Sequence, residues 1–142
     1  MAIKAKFQVS MGDVFPHGAY VVSEVEPVRD YDKSSAGRMV QATDKESGLL
    51  LWAVSVLDAD PEARRGDKTV TVKIAAAHQP IPPESAPGMP FRPVEFDGLT
   101  VTPYVNESGG GRPRIAFSLR ATGMRPPHTG VGRVASKSQD AA

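Results

Sequence analysis

Three histidines, His17, His78 and His128, are the side chains best suited to proton transfer or metal ligation near neutral pH. Each stands in its own segment, beside or within a proline-rich stretch, and no two have the spacing of a ligand pair. There is no cysteine, so a thiolate metal site and a disulfide framework are both excluded. The serines lack the G-x-S-x-G turn of a nucleophile elbow. Asp58, Asp60, Glu62 and Asp67 crowd one connection, but not at the spacing of a helix–loop–helix calcium site, and turn formation accounts for them. Gly109, Gly110 and Gly111 come without the lysine and hydroxyl residue of a phosphate loop. The expectation is a protein that is not an enzyme and carries neither metal nor cofactor.

Binding chemistry is better represented. Polar residues alternate with apolar ones in three segments, setting Thr69, Thr71 and Lys73, then Thr100, Thr102 and Tyr104, then Arg114, Ser118 and Arg120 on the sides away from the apolar residues. Cations follow a phosphate backbone, hydroxyls donate to it, and a ring stacks on a base for about 1–3 kcal/mol. Arg64, Arg65, Lys68 and Arg112 in the connections extend this set, and so do Arg125 and Arg133 farther on. Against this, threonine and lysine are ordinary residues on the wet side of any half-buried strand.

The elements that must position these residues have a period of two, and no window carries apolar residues at helical spacing. Strands are expected over residues 18–28, 38–43 (short and polar), 49–57, 69–77, 98–105 and 114–122. Leu50, Trp52, Val54 and Val56 form one face of the third, and Leu49, Leu51, Ala53 and Leu57 largely fill the other, which marks a central strand with Trp52 in the core. Val70, Val72, Ile74 and Ala76, then Leu99, Val101 and Val105, then Ile115, Phe117, Leu119 and Ala121 are expected to face inward. NESGGGRP, between the last two strands, reads as a hairpin loop. Asp58–Lys68 is expected to hold one helical turn, capped by Asp60 with Pro61 first and Gly66 as the stop. His78–Pro93 carries six prolines and reads as an extended surface crossing.

With 142 residues, this is one domain, 1–124, followed by a flexible basic tail, 125–142. The fold class is all-β: a small antiparallel OB-like barrel of about five to six strands with long loops, a β-sandwich being the alternative. The formal charge of +1 divides unevenly. Through Glu107 there are 11 Lys/Arg against 15 Asp/Glu, or −4, and from Ser108 onward 6 against 1, or +5. A basic end on an acidic body suits a polyanionic partner or a solvated tail. No stretch has the length of a signal peptide's apolar core or of a membrane span, so a cytoplasmic protein without a membrane partner is expected.

The runs VFPHGAYVVSEVEPVRDYD (Val14–Asp32), TDKESGLLLWAVSVLDADPEAR (Thr43–Arg64), VKIAAAHQPIPP (Val72–Pro83), PFRPVEFDGLTVTPYV (Pro90–Val105) and AFSLRATGM (Ala116–Met124) resemble the replication, integration and excision activators of actinobacterial integrative elements and plasmids. The resemblance implies a regulatory protein of a mobile genetic element, acting in transcription regulation and plasmid replication through DNA. It brings no assigned functional residues.

Two readings of function follow. One is a DNA-binding accessory factor, single-stranded DNA favoured, contacting its ligand through Thr71, Lys73, Thr102, Tyr104, Arg112, Arg114 and Arg120 with Arg64, Arg65 and Lys68. The other is a non-catalytic interaction module that recruits or stabilises a replication or transcription protein. No recognition helix for the major groove is visible, though a β-ribbon or a homo-oligomer stays compatible with duplex reading.

Overall fold

The computed structural model describes residues 5–85, 87–107 and 110–127. Its framework is two ladders of seven residue pairs each. In the first, β4 (Leu51–Asp58) runs antiparallel to β5 (Thr69–Ala75), from Leu51↔Ala75 to Leu57↔Thr69. In the second, β7 (Thr100–Asn106) runs antiparallel to β8 (Arg114–Ala121), from Thr100↔Arg120 to Asn106↔Arg114. Alternation decides which side of the first ladder is inside: Val54 and Val56 of β4 and Val72 and Ile74 of β5 are all at most 1% exposed.

β2 (Ala19–Val21) joins β4 on one side and β6 (Arg92–Asp97) on the other, both antiparallel. β6 leads through Gly98 and Leu99 into β7, and β8 leads through Thr122 into β9 (Gly123–Arg125), which pairs back onto β6. The β6–β9 pairs, Asp97↔Gly123 to Glu95↔Arg125, continue the register of β7 and β8. These four strands are therefore one long hairpin, bent at Gly98 and Thr122. A short parallel contact, Val72↔Leu119 to Ile74↔Ala121, attaches the hairpin to β5. The pairings thus run from β2 through β4, β5 and β8/β9 to β6 and return to β2. This is a strongly curled, OB-like barrel, and the sandwich alternative is set aside.

The core fills the curl. Val94 and Phe96 from β6 and Leu119 and Ala121 from β8 meet the β4–β5 valines, and the rings of Phe15 and Phe96 lie 6.3 Å apart. Trp52 is half-buried against this cluster, as expected, and its indole N–H donates to the Ala76 carbonyl at 3.0 Å. One end is closed by α1 (Met11–Val14), which follows β1 (Phe7–Gln8), an edge strand on β7. Ser10 starts that turn: its Oγ accepts from Asp13 N–H, and its own N–H donates to the Asp13 carboxylate. The bond from the Ser10 N–H foremost, and the Ser10 hydroxyl after it, hold the Asp13 carboxyl below its ordinary pKa. Among the described residues no helix is long and apolar enough to cross a membrane.

Several expectations are corrected. Residues 38–43 form no strand: they make only the bridges Ser35↔Arg38, Arg29↔Gln41 and Thr43↔Leu50, within a loop that turns at Gly37 (φ +85°). The span 18–28 is two short strands, β2 and β3 (Glu26–Pro27), the latter on β4. The crossing ends at Arg92, because Val94 and Phe96 alternate with Glu95 and Asp97 to make β6, with Pro93 opposite Tyr20. Gly98 is the bend rather than the start of a strand. After Asp60 there is a turn, whose Glu62 N–H donates to the Asp60 carboxylate, and then a 3₁₀ turn at Arg65–Asp67. Val105, Ile115 and Phe117, expected inside, are 61%, 71% and 61% exposed. Their phase is right, but the β7–β8 hairpin outruns the barrel, so no interior lies beneath them. Arg125 belongs to β9 rather than to a tail: its Nε donates to Asp97 at 2.6 Å and its Nη1 to Glu95 at 2.9 Å. The Asp97 bond foremost raises its pKa. The rest of the expected tail, from His128, lies outside the described residues.

Candidate nucleic-acid interface

The outer side of the barrel is the complement of the core pattern. On β5, Thr69, Thr71 and Lys73 point away from Val70, Val72 and Ile74. Cross-strand partners share a face, so Lys73 sits beside Arg120, Arg120 beside Thr100, Thr102 beside Ser118, and Tyr104 beside Ala116, with Arg114 at the far end opposite Asn106. Register thus brings Thr71, Lys73, Thr102, Tyr104, Arg114 and Arg120 to one outer face. Thr71 and Arg114 are exposed, Tyr104 is 48% exposed, and Lys73 and Thr102 are half-buried.

Two groups of loop residues border this face. Because β5 and β8 run parallel, their first residues lie toward the same end of the barrel. Arg64, Arg65 and Lys68, just before β5, and Arg112, just before β8, are therefore gathered toward that end, all exposed. The loop 28–50 is anchored at the other end of the β4–β5 ladder, where Val28 N–H donates to Leu51 O and Leu51 N–H to Ala42 O. It doubles back on itself through Asp30 N–H to Val40 O at 2.8 Å and Ala42 N–H to Val28 O at 2.7 Å. Near its tip the Tyr31 ring, 81% exposed, lies beneath the Arg29 guanidinium, 5.5 Å from the ring centre. Sequence reasoning passed over Tyr31, although R-D-Y-D-K, an aromatic between cations in a polar loop, was a usable signal.

Arg120 shares the face but is committed elsewhere. Its Nη1 donates to the Asp44 carboxylate at 2.6 Å, and the second carboxylate oxygen accepts from the Ser47 N–H and hydroxyl. Asp44 is only 8% exposed. Burial alone would raise its pKa, but the Ser47 hydrogen bonds and the charges of Arg120 and Lys6 outweigh that and hold the carboxyl below its ordinary value. The turn TDKESG closes behind it, with Gly48 N–H donating to Asp44 O at 2.7 Å and Gly48 at φ +75°. This cluster clasps the loop to the sheet.

A carboxyl with a lowered folded-state pKa contributes stability above the ordinary carboxylate range and loses it as pH falls through the folded value. Asp44→Ala is expected to cost about 1–3 kcal/mol in urea unfolding at neutral pH. Acidifying the unaltered protein below about pH 4 is expected to lower the protection of the Ser47 and Leu49 amides, read as their exchange rate relative to the unstructured-chain rate at the same pH. Protection there that is unchanged by pH or by Asp44→Ala would show that the clasp is idle.

The other titratable groups are dispersed. His17 Nε2 lies 3.9 Å from Asp60, His78 is an exposed loop residue, and His128 is outside the described residues. Among the described residues no three metal-ligating side chains converge. Comparison of the chain with protein-family models, with curated proteins and with solved structures finds no match.

Proposed function

We propose that this protein binds single-stranded DNA across the outer face of β4, β5 and β8, as a non-catalytic accessory factor acting in the cytoplasm. The observation that carries the reading is the register, which aligns Thr71, Lys73, Tyr104 and Arg114 on one side of the sheet. Barrels of this type use the face of their second and third strands and the loops that flank it to hold oligonucleotides. Here those strands are β4 and β5, and the flanking pieces carry Tyr31 on one side and Tyr104 with Arg114 on the other. The backbone would follow Arg114, Lys73 and the Arg64–Lys68 connection while unstacked bases rest on the two tyrosines. The resemblance to activators of plasmid replication, integration and excision suggests that such binding serves a mobile genetic element.

Fluorescence anisotropy with labelled oligothymidine and with a duplex of equal length, at low salt, tests this. Binding of the single strand, stronger than that of the duplex, is expected, because the longest helix among the described residues is the four-residue Met11–Val14 turn, too short to read a major groove. No change in anisotropy with either ligand would end the proposal. A second reading, as a protein-interaction module, is favoured by the proline crossing, where Ile81 is 85% and Phe91 42% exposed beside an open groove.

A further inference from the structure

The side of the β7–β8 arm opposite Tyr104 has no role in that binding. Register places Val105 against Ile115 and Pro103 against Phe117, with Phe7 of β1 beside Val101 on the same side. Nearer the barrel this side is core: Leu119 is 6% exposed. Beyond the barrel's rim it continues unchanged in chemistry but uncovered, with Phe7 46%, Val105 61%, Ile115 71% and Phe117 61% exposed. An alternating ribbon with one apolar side is the pattern of a strand pair that has something packed on it.

We infer that two copies of this chain associate by stacking these arm faces about a two-fold axis. Three observations favour a second copy over other occupants. Among the described residues paired in β1, β7 and β8, no charged side chain stands on this side, so it offers nothing to phosphates, and its two phenylalanines and two β-branched residues are complementary to themselves. Charge fits an antiparallel arrangement, in which each arm tip, bearing Arg112 and Arg114, is carried away from the other tip and toward the body of its partner. That body, residues 1–107 (net −4) together with Arg120 and Arg125 of β8 and β9 (+2), is net −2. Area fits a weak association: the four exposed side chains present on the order of 400–500 Å², so two faces remove about 800–1,000 Å², at the lower limit of specific interfaces and in the range of weak, transient ones.

Sedimentation equilibrium of the full chain provides the test, with Ile115→Lys/Phe117→Ser as the variant. Both positions are exposed, so the variant is expected to keep the far-UV circular dichroism and unfolding midpoint of the parent. A weak, transient dimer is expected to show a monomer–dimer equilibrium with a dissociation constant on the order of 10–100 μM, weakened at least tenfold in the variant. A parent chain that stays monomeric at about 500 μM would overturn the inference, and so would a folded variant that associates like the parent. Association that appears only when residues 128–142 are removed would assign the face to the chain's own end instead. A monomeric parent whose variant loses oligothymidine binding would assign it to nucleic acid.

Discussion

Gly98→Ala is expected to destabilise the barrel by about 2–4 kcal/mol, more than any other alanine substitution at an exposed position. Gly98 has φ +59°, a region that costs an L residue about 1–2 kcal/mol. A Cβ there would lie 2.6 Å from Thr122 Oγ1 and 2.9 Å from Thr122 Cγ2, so rotating Thr122 exchanges one collision for another. Rotation would also give up the bond from Thr122 Oγ1 to Asp97 O at 3.1 Å. Overpacking of this kind adds about 1–3 kcal/mol. Gly98 and Thr122 stand at the bend where the long hairpin turns from the β5 contact toward β6 and β2, so strain there loosens the return of the pairings to β2. Thr122→Ala in the Gly98→Ala background should recover the steric part and leave the backbone part, giving a coupling of at least about 1 kcal/mol in a double-mutant cycle of urea unfolding. A Gly98→Ala protein with the parent's midpoint would mean that the hairpin is not bent in this way.

That bend shows where sequence reasoning stopped. Alternation over Thr69–Ala75 is strict, because that strand is backed by core on one side, whereas Leu51–Asp58 is apolar on both sides and was legible as a central strand, with Val54 and Val56 in the core and Leu51 buried on the other side. The same rule read Ile115 and Phe117 as core, since alternation reports which side of a strand is apolar and not how far the barrel extends beneath it. Val94–Phe96 alternates as well, but six prolines upstream concealed the start of β6. The candidate site was legible to the same degree. Side placement of Thr71, Lys73, Tyr104 and Arg114 follows from period two alone, whereas the pairing of Arg120 with Asp44 spans 76 positions and depends on how loop 28–50 folds. Nothing local in the sequence encodes that contact.

Lys73→Glu/Arg114→Glu is expected to lower affinity for oligothymidine about 10–100-fold near 100 mM salt, since each phosphate contact on a single strand carries a salt exponent of about −0.7. Lys73 is half-buried, and its neighbour Arg120 is tied to Asp44, so the reversed charge at position 73 has no free cation beside it to take over the contact. Arg114 is exposed at the start of β8, and its reversal leaves the β7–β8 ladder intact. Tyr104→Ala should act differently. Loss of a stacking ring costs about 1–3 kcal/mol and leaves the salt dependence where it was. Tyr31→Ala should behave in the same way if both tyrosines carry bases. Equal losses in all variants, with one common slope, would point to general unfolding rather than to a shared face.

The salt dependence of oligothymidine affinity, taken on the parent and on Lys73→Glu/Arg114→Glu at matched folded fraction, tests the shared outer face most directly. The slope of log affinity against log salt should be shallower in the variant by about 1.4, the share of two phosphate contacts. Identical slopes, or a parent that does not bind at any salt, would mean that Lys73 and Arg114 do not meet DNA together.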